Sequence, residues 1–144
     1  MTLSLQTDYS LRTLMYLAAR HPNRCQIAEI AEFFGISKDH LAKAVRRLGQ
    51  EGYLRTIRGI GGGIELAKSA EQVSVGEVIE RIEGQQHLLD CVAMDGVCRI
   101  EKACKLKGVL AEAERLQRDY LNRIRLSDVV STGLDLVQLD STLT

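Results

Sequence analysis

Between positions 26 and 67 the chain orders its elements in a way that few folds accommodate. A short apolar-faced helix is expected at 26–33, with Ile27, Ile30, Ala31 and Phe34 on one face. Gly35 breaks it as a turn glycine. Ser37 then caps a helix over 38–50 whose inward face is Leu41, Ala44, Val45 and Leu48, and Gly52 stops that helix. Residues 53–57 read as a strand, 58–63 (RGIGGG) as a glycine-rich turn and 64–67 as a returning strand. A basic helix by itself reads equally well as a solvated face. Helix, glycine turn, capped basic helix and basic glycine-rich hairpin in that order specify a winged helix-turn-helix. The glycines permit the positive φ angles and close backbone approach of a tight hairpin beside a phosphate chain.

Around this unit the fold reads as mainly α. An amphipathic helix is expected at 7–20, with Thr7 as N-cap and Leu11, Leu14, Met15, Leu17 and Ala18 inward; Pro22 ends it. Ser74 caps a helix running to Glu83, with Val75, Val78, Ile79 and Ile82 on one face, and Gly84 ends it. No period is sustained over 85–103. A long helix then runs over 105–126, where Leu106, Val109, Ala113, Leu116 and Tyr120 alternate three- and four-residue steps and Ile124 continues the stripe. That spacing, flanked by Glu112, Glu114, Arg115, Arg118 and Asp119, suits packing against a second copy. The chain therefore divides into a DNA-binding domain (1–68), a linking helix and cysteine loop (69–104), a dimerisation helix (105–130) and a tail (131–144) assigned little structure.

Charge distribution sharpens the nucleic-acid reading. The net charge is zero, yet positions 38–58 hold six basic residues against two acids, and positions 68–101 hold three against seven. Only the face that meets phosphates has to be positive. Lys38, His40, Lys43, Arg46 and Arg47 lie outward on the capped helix, and Arg58, Gly61 and Gly62 lie on the wing; these are the expected contacts to double-stranded DNA. Lys38, His40 and Lys43 stand near the helix N-terminus, the part that usually reaches base edges. No apolar run is long enough to span a membrane and no secretory signal is visible, so a cytoplasmic location is expected. Nothing pairs a nucleophile with a base, and the RGIGGG run lacks the following Lys-Ser/Thr of a phosphate loop, so the chain is not expected to be an enzyme.

Three of the four cysteines, Cys91, Cys98 and Cys104, fall within fourteen residues. In a reducing compartment such clustering leans toward metal or redox chemistry rather than disulfides. Gaps of six and five residues are too wide for a zinc knuckle and suit a loop wrapped around an iron–sulfur cluster. Buried free thiols or a thiol switch are the alternatives; the polar surroundings (Asp90, Asp95, Arg99, Glu101) favour the cluster. Three thiolates leave one ligand to be found. His87 has no spacing that recommends it. Asp8, in the first turn of a helix, reads from position alone as a favourable partner of the helix N-terminus. Cys25 reads as a small core residue.

The stretches at 7–18 (TDYSLRTLMYLA), 27–48 (IAEIAEFFGISKDHLAKAVRRL) and 58–67 (RGIGGGIELA), with the three cysteines and the long helix after them, resemble the winged-helix repressor family that contains NsrR and IscR. The resemblance implies a cytoplasmic homodimer that binds an operator and represses transcription, with an iron–sulfur cluster on Cys91, Cys98 and Cys104. A [4Fe-4S] cluster is favoured and a [2Fe-2S] cluster is the alternative. IscR-like members carry a histidine three residues after the last cysteine, where this chain has Lys107. NsrR-like members carry an aspartate in the first helix that reaches the partner's cluster, and Asp8 matches it. The resemblance thus makes Asp8 the fourth ligand, against its bland positional reading. It implies nitric oxide as the signal, with iron or redox status as the alternative.

Overall fold

The computed structural model describes residues 2–130; the tail at 131–144, expected to hold little structure, lies outside them. Helix α1 spans Leu5–Arg20, and its N-cap is Ser4 rather than Thr7. Ser4 Oγ accepts from the Thr7 N–H at 3.2 Å. Thr7 is instead fully buried one turn inside and donates its hydroxyl to Glu83. The apolar stripe begins only at Leu11, so the first helical turn gives no periodic signal.

Helix α2 spans Ile27–Phe34, and Gln26 donates its N–H to Glu29 Oε1 at 2.7 Å across its first turn. Gly35 ends it at φ 66°, the left-handed geometry that closes a helix without a Cβ penalty. Helix α3 spans Lys38–Gln50, with Ser37 Oγ accepting from the His40 N–H at 3.4 Å. Leu41, Ala44, Val45 and Leu48 are all buried, as their spacing requires. Leu41, Val45 and Leu48 share one core with Leu14 and Leu17 of α1 and Ile30 of α2. Each large aliphatic side chain so buried contributes about 2 kcal/mol.

Strands β1 (Leu54–Ile57) and β2 (Gly63–Leu66) pair antiparallel, with Leu54 opposite Leu66 and Ile57 opposite Gly63. Cys25 adds a third backbone segment: its N–H donates to Ile64 O at 3.0 Å, and the Ile64 N–H donates to Cys25 O at 2.8 Å. The winged helix-turn-helix is therefore present, and its hairpin is anchored to the turn between α1 and α2.

Helix α4 (Val75–Glu83) is capped by Ser74 and ended by Gly84. The next stretch holds helix α5 (Asp90–Ala93) and a 3-10 turn at Glu101–Ala103. Helix α6 spans Lys105–Arg123 and helix α7 spans Leu126–Val130. The single helix expected over 105–126 is thus interrupted. Ile124 leaves helical geometry at ψ 124°, because its carbonyl accepts from the Val75 N–H at 2.9 Å while the Leu126 N–H donates to Val73 O at 2.9 Å. Tertiary backbone pairing overrides the local helix there.

Helix α6 crosses α4 at Gly76. A Cβ at that position would stand 2.5 Å from the Asn122 backbone nitrogen and 2.7 Å from the Leu121 carbonyl carbon. Ser74 Oγ donates to Asn122 O at 2.9 Å beside the crossing. Gly76→Ala forces the two helices apart and should cost about 1–3 kcal/mol. Thermal unfolding checks this; a midpoint equal to that of the native protein would show that the crossing absorbs a methyl group.

Candidate DNA-binding face and cysteine loop

The capped helix places its charged residues unequally. Lys38, His40, Lys43 and Arg46 are exposed on the side of α3 opposite the core, and none is ion-paired among the described residues. Arg47 is different. It is half-buried, its Nε lies 3.0 Å from Glu51 Oε1 as an ion pair rather than an aligned hydrogen bond, and its Nη2 donates to Arg81 O at 2.8 Å. Expected as a DNA contact, Arg47 ties α3 to α4 in this structure. Helical spacing separates inside from outside but says nothing of a neighbouring helix that reaches the flank.

The wing is a braced hairpin. Gly62 donates its N–H to Gly59 O at 3.0 Å, and a Cβ on Gly62 would stand 2.3 Å from Ile57 O. Arg24 Nη1 donates to Gly61 O at 3.1 Å and Gln26 Nε2 donates to Gly62 O at 2.9 Å. Arg24 and Arg55 both pair with Glu65, and their hydrogen bonds, Arg55's foremost, hold that carboxyl below its ordinary value. Arg58 is exposed at the turn with no ion pair among the described residues. The open positive charge of this face therefore comes from Lys38, Lys43, Arg46 and Arg58.

All four cysteines are free. Cys25 is fully buried, and burial, with Glu29 nearby, pushes its thiol up to about 11, so it stays protonated and inert, as a core residue should. Cys91 sits in α5, Cys98 is exposed in the following turn, and Cys104 sits where the 3-10 turn meets α6. The loop brings them into one segment. Among the described residues no three His, Cys, Asp or Glu side chains stand grouped around a metal-sized space.

Two carboxylates organise this loop. Glu101 pairs with Lys107 and accepts from the Gly96 N–H at 2.6 Å, while Lys107 also donates to Asp95 at 2.8 Å. Those hydrogen bonds, Asp95's first, raise Lys107 above its ordinary value, so it stays cationic. Glu114, expected as a charged flank of the α6 stripe, is buried at 7% exposure. It accepts from the Leu88 N–H at 2.6 Å and contacts His87 Nδ1 at 3.1 Å. Burial pushes the Glu114 carboxyl up, but the Leu88 and His87 contacts outweigh it and the net value falls below the ordinary one. His87 thus serves as a partner of α6. No sequence signal marks Glu114, because its hydrogen-bond partners lie 26 and 27 residues away.

Asp8, in the first turn of α1, accepts from Arg12 Nε at 2.8 Å and is 40% exposed. The α6 stripe is open along its length: Leu106, Val109, Leu116 and Tyr120 are each more than half exposed. No helix of the described residues is long and apolar enough to cross a membrane.

Residues 3–132 match the Rrf2 family, described as iron-dependent transcriptional regulators. The chain belongs to the Rrf2 family. The HTH-type transcriptional regulator NsrR of Bacillus subtilis (strain 168) is 43% identical over 141 residues, covering 96% of this chain and 97% of that protein. NsrR of Shouchella clausii is 38% identical over 138 residues, covering 94% and 93%. Among solved structures, CymR, the global cysteine regulator of B. subtilis, superposes with a TM-score of 0.79 at 21% identity, covering 93% of this chain and 99% of CymR. IscR of T. potens gives 0.72 at 22% identity, covering 93% and 89%. At those identities the solved structures establish the shared winged-helix fold. This Rrf2-family chain is a transcriptional regulator and not an enzyme.

Two predictions separate the roles assigned to these residues. Lys43→Ala should weaken binding to duplex DNA and lower the slope of log affinity against log salt by about 1. Arg47→Ala should leave that slope unchanged and lower the thermal midpoint by a few degrees; a full unit lost from the slope would return Arg47 to the DNA. Glu114 sets an acid dependence. Its folded value lies below 4.5, so its stabilisation is complete above that pH and is lost as pH falls through the folded value. The midpoint difference between native protein and Glu114→Gln should therefore shrink on acidification below 4.5, and a constant difference would contradict the assignment.

Proposed function

We propose that this regulator is a homodimeric, cytoplasmic, DNA-binding repressor that senses nitric oxide through an iron–sulfur cluster held by Cys91, Cys98 and Cys104, with Asp8 from a second copy of the chain as fourth ligand. The observation that carries the reading is the placement of three free thiols on one loop between a winged helix and an open apolar helix. The donor set fits such a group in kind: soft sulfur donors outside any disulfide, on a segment of short turns rather than a rigid element. The relatives named NsrR support nitric oxide as the signal, and four exposed or half-exposed ligand side chains support assembly across two copies. A [4Fe-4S] cluster matches four protein ligands; a [2Fe-2S] cluster is the alternative. When bound, the group supplies iron that nitric oxide attacks.

The chain's own part is mechanical. Lys107, Glu101 and Glu114 hold the loop on α6. The loop begins at Gly84, directly after Glu83, which accepts from the Ser4 N–H at 3.0 Å and from the Ser4 hydroxyl at 2.8 Å at the start of α1. Two residues earlier, the Arg81 carbonyl receives Arg47 from the recognition helix. A shift of the loop's first residues therefore reaches both α1 and α3 through one end of α4. Repression requires that DNA and the ligand set favour the same arrangement of that end. The open α6 stripe supports a dimer seam that presents two recognition helices to two half-sites.

A second reading, release by iron depletion, is favoured by the family's description as iron-dependent. Protein purified without oxygen should be brown and hold iron and sulfide. Cys98→Ala should abolish the colour, and Asp8→Ala should alter the absorption spectrum while leaving circular dichroism unchanged. Nitric oxide should release bound operator faster than an iron chelator does. A colourless anaerobic product holding only zinc would defeat the cluster reading.

A further inference from the structure

The wing carries an isoleucine that no core uses. Ile60 sits at the hairpin tip with 109% relative exposure, the largest among the exposed large hydrophobics of the described residues. Lone exposed apolar side chains are common on protein surfaces, but this one is mounted on a braced support. Arg24 and Gln26 hold the carbonyls of Gly61 and Gly62, Gly62 leaves no room for a Cβ, and Cys25 pairs with Ile64 at the base. Gly59 and Gly61, on either side, have φ of 91° and 74° and open space around them. Arg58 stands beside the tip with its charge unpaired among the described residues. A rigid apolar point flanked by bare backbone and a cation fits a narrow, negatively charged slot with apolar walls.

We infer that Ile60 enters the minor groove of the bound duplex and reads it by shape. This rests on the DNA-binding reading above and adds a residue that selects sequence. The minor groove of A·T pairs presents sugar walls and a floor without the exocyclic amine that guanine carries, so a branched aliphatic tip seats there and is excluded by G·C pairs. Arg58 beside it adds attraction to the more negative potential of a narrow groove. Ile60 thus favours A·T pairs at positions that α3, in the adjacent major groove, does not touch.

The test starts from duplexes with randomised centres, enriched on the native, cluster-loaded protein, and measures affinity at one salt concentration. Replacing adenine with 2,6-diaminopurine at the pairs facing the wing adds the minor-groove amine and leaves the major-groove edge unaltered. The native protein should lose about tenfold in affinity on that replacement, while Ile60→Ser should start about tenfold weaker and lose nothing further. Ile60 makes no core contact, so unchanged circular dichroism certifies the variant's fold. Native affinity and native diaminopurine sensitivity in Ile60→Ser would overturn the assignment alone and leave Ile60 to a protein partner or to no role. A native protein that enriches no duplex would overturn the DNA-binding reading and this assignment with it.

Discussion

The crossing of α4 over α6 at Gly76 is the contact on which the geometry of the rest depends. Helix α6 has nineteen residues, and only Glu114 among them is buried. Such a helix has no core of its own to orient it. Its direction is fixed at one end by the Gly76 approach, the Ser74–Asn122 hydrogen bond and the Val75–Ile124 backbone pair. Toward its middle it is fixed by Glu114, which holds Leu88 and His87. The segment from Gly84 to Cys104 is strung between these anchors, so its path follows from where α6 points. A residue larger than glycine at 76 would move the helix, the loop and the exposed stripe together.

Helix α4 is also where the loop meets the DNA-binding unit. Its last turn supplies Glu83 to the N-terminus of α1 and the Arg81 carbonyl to Arg47 of α3, and Arg81 itself pairs with Glu77 and Glu51. The Thr7 and Ser4 hydrogen bonds, Thr7's first, hold the Glu83 carboxyl below its ordinary value, so it bears charge at neutral pH. A charged acceptor of several donors is strong and directional. One residue further on, Gly84 at φ 82° releases the chain into the loop. Energetic coupling needs a contiguous set of contacts with alternative arrangements, and this turn provides the contiguous set: loop, α1 and α3 meet within the four residues from Arg81 to Gly84.

The fold was legible in the sequence where local chemistry decides it. Ser37, Gly35 and the 41, 44, 45, 48 stripe define α3 within the sequence itself, and the structure reproduces the helix end to end. Ser74 and Gly84 do the same for α4. What failed to show were decisions taken by distant partners. Thr7 looked like a cap because it precedes the apolar stripe, whereas Glu83, 76 positions away, makes it a buried donor. Periodicity puts Glu114 on the charged flank of the α6 stripe and Arg47 on the outward, DNA-facing side of α3; it grades residues as inward or outward and cannot report a third element at the flank. Ile124 looked like one more turn of a stripe until β-like pairing with Val75 took its carbonyl. The cysteine loop was legible as chemistry, three soft donors in a polar stretch, and illegible as geometry, since short turns leave no periodic trace.

Lys107 bears on the proposed ligand set. Three residues after the last cysteine, its amine is held by Asp95 and Glu101, and those hydrogen bonds keep it protonated. A protonated amine has no lone pair to give a metal. The same contact fixes Glu101 on the lysine and on the Gly96 N–H, so that carboxylate is occupied as well. His87 is turned to Glu114. Lys107, Glu101 and His87 are thus committed to holding the loop on α6, and the soft donors the loop offers are its three free thiols. The Asp8 carboxylate by contrast is tied, among the described residues, only through Arg12, one helical turn away on the same exposed face. An exposed i,i+4 pair of this kind is worth a few tenths of a kcal/mol, so little opposes transferring that carboxylate to a stronger acceptor of charge. As the fourth ligand proposed above, a carboxylate so weakly committed and brought from outside the loop would suit a site that assembles and comes apart.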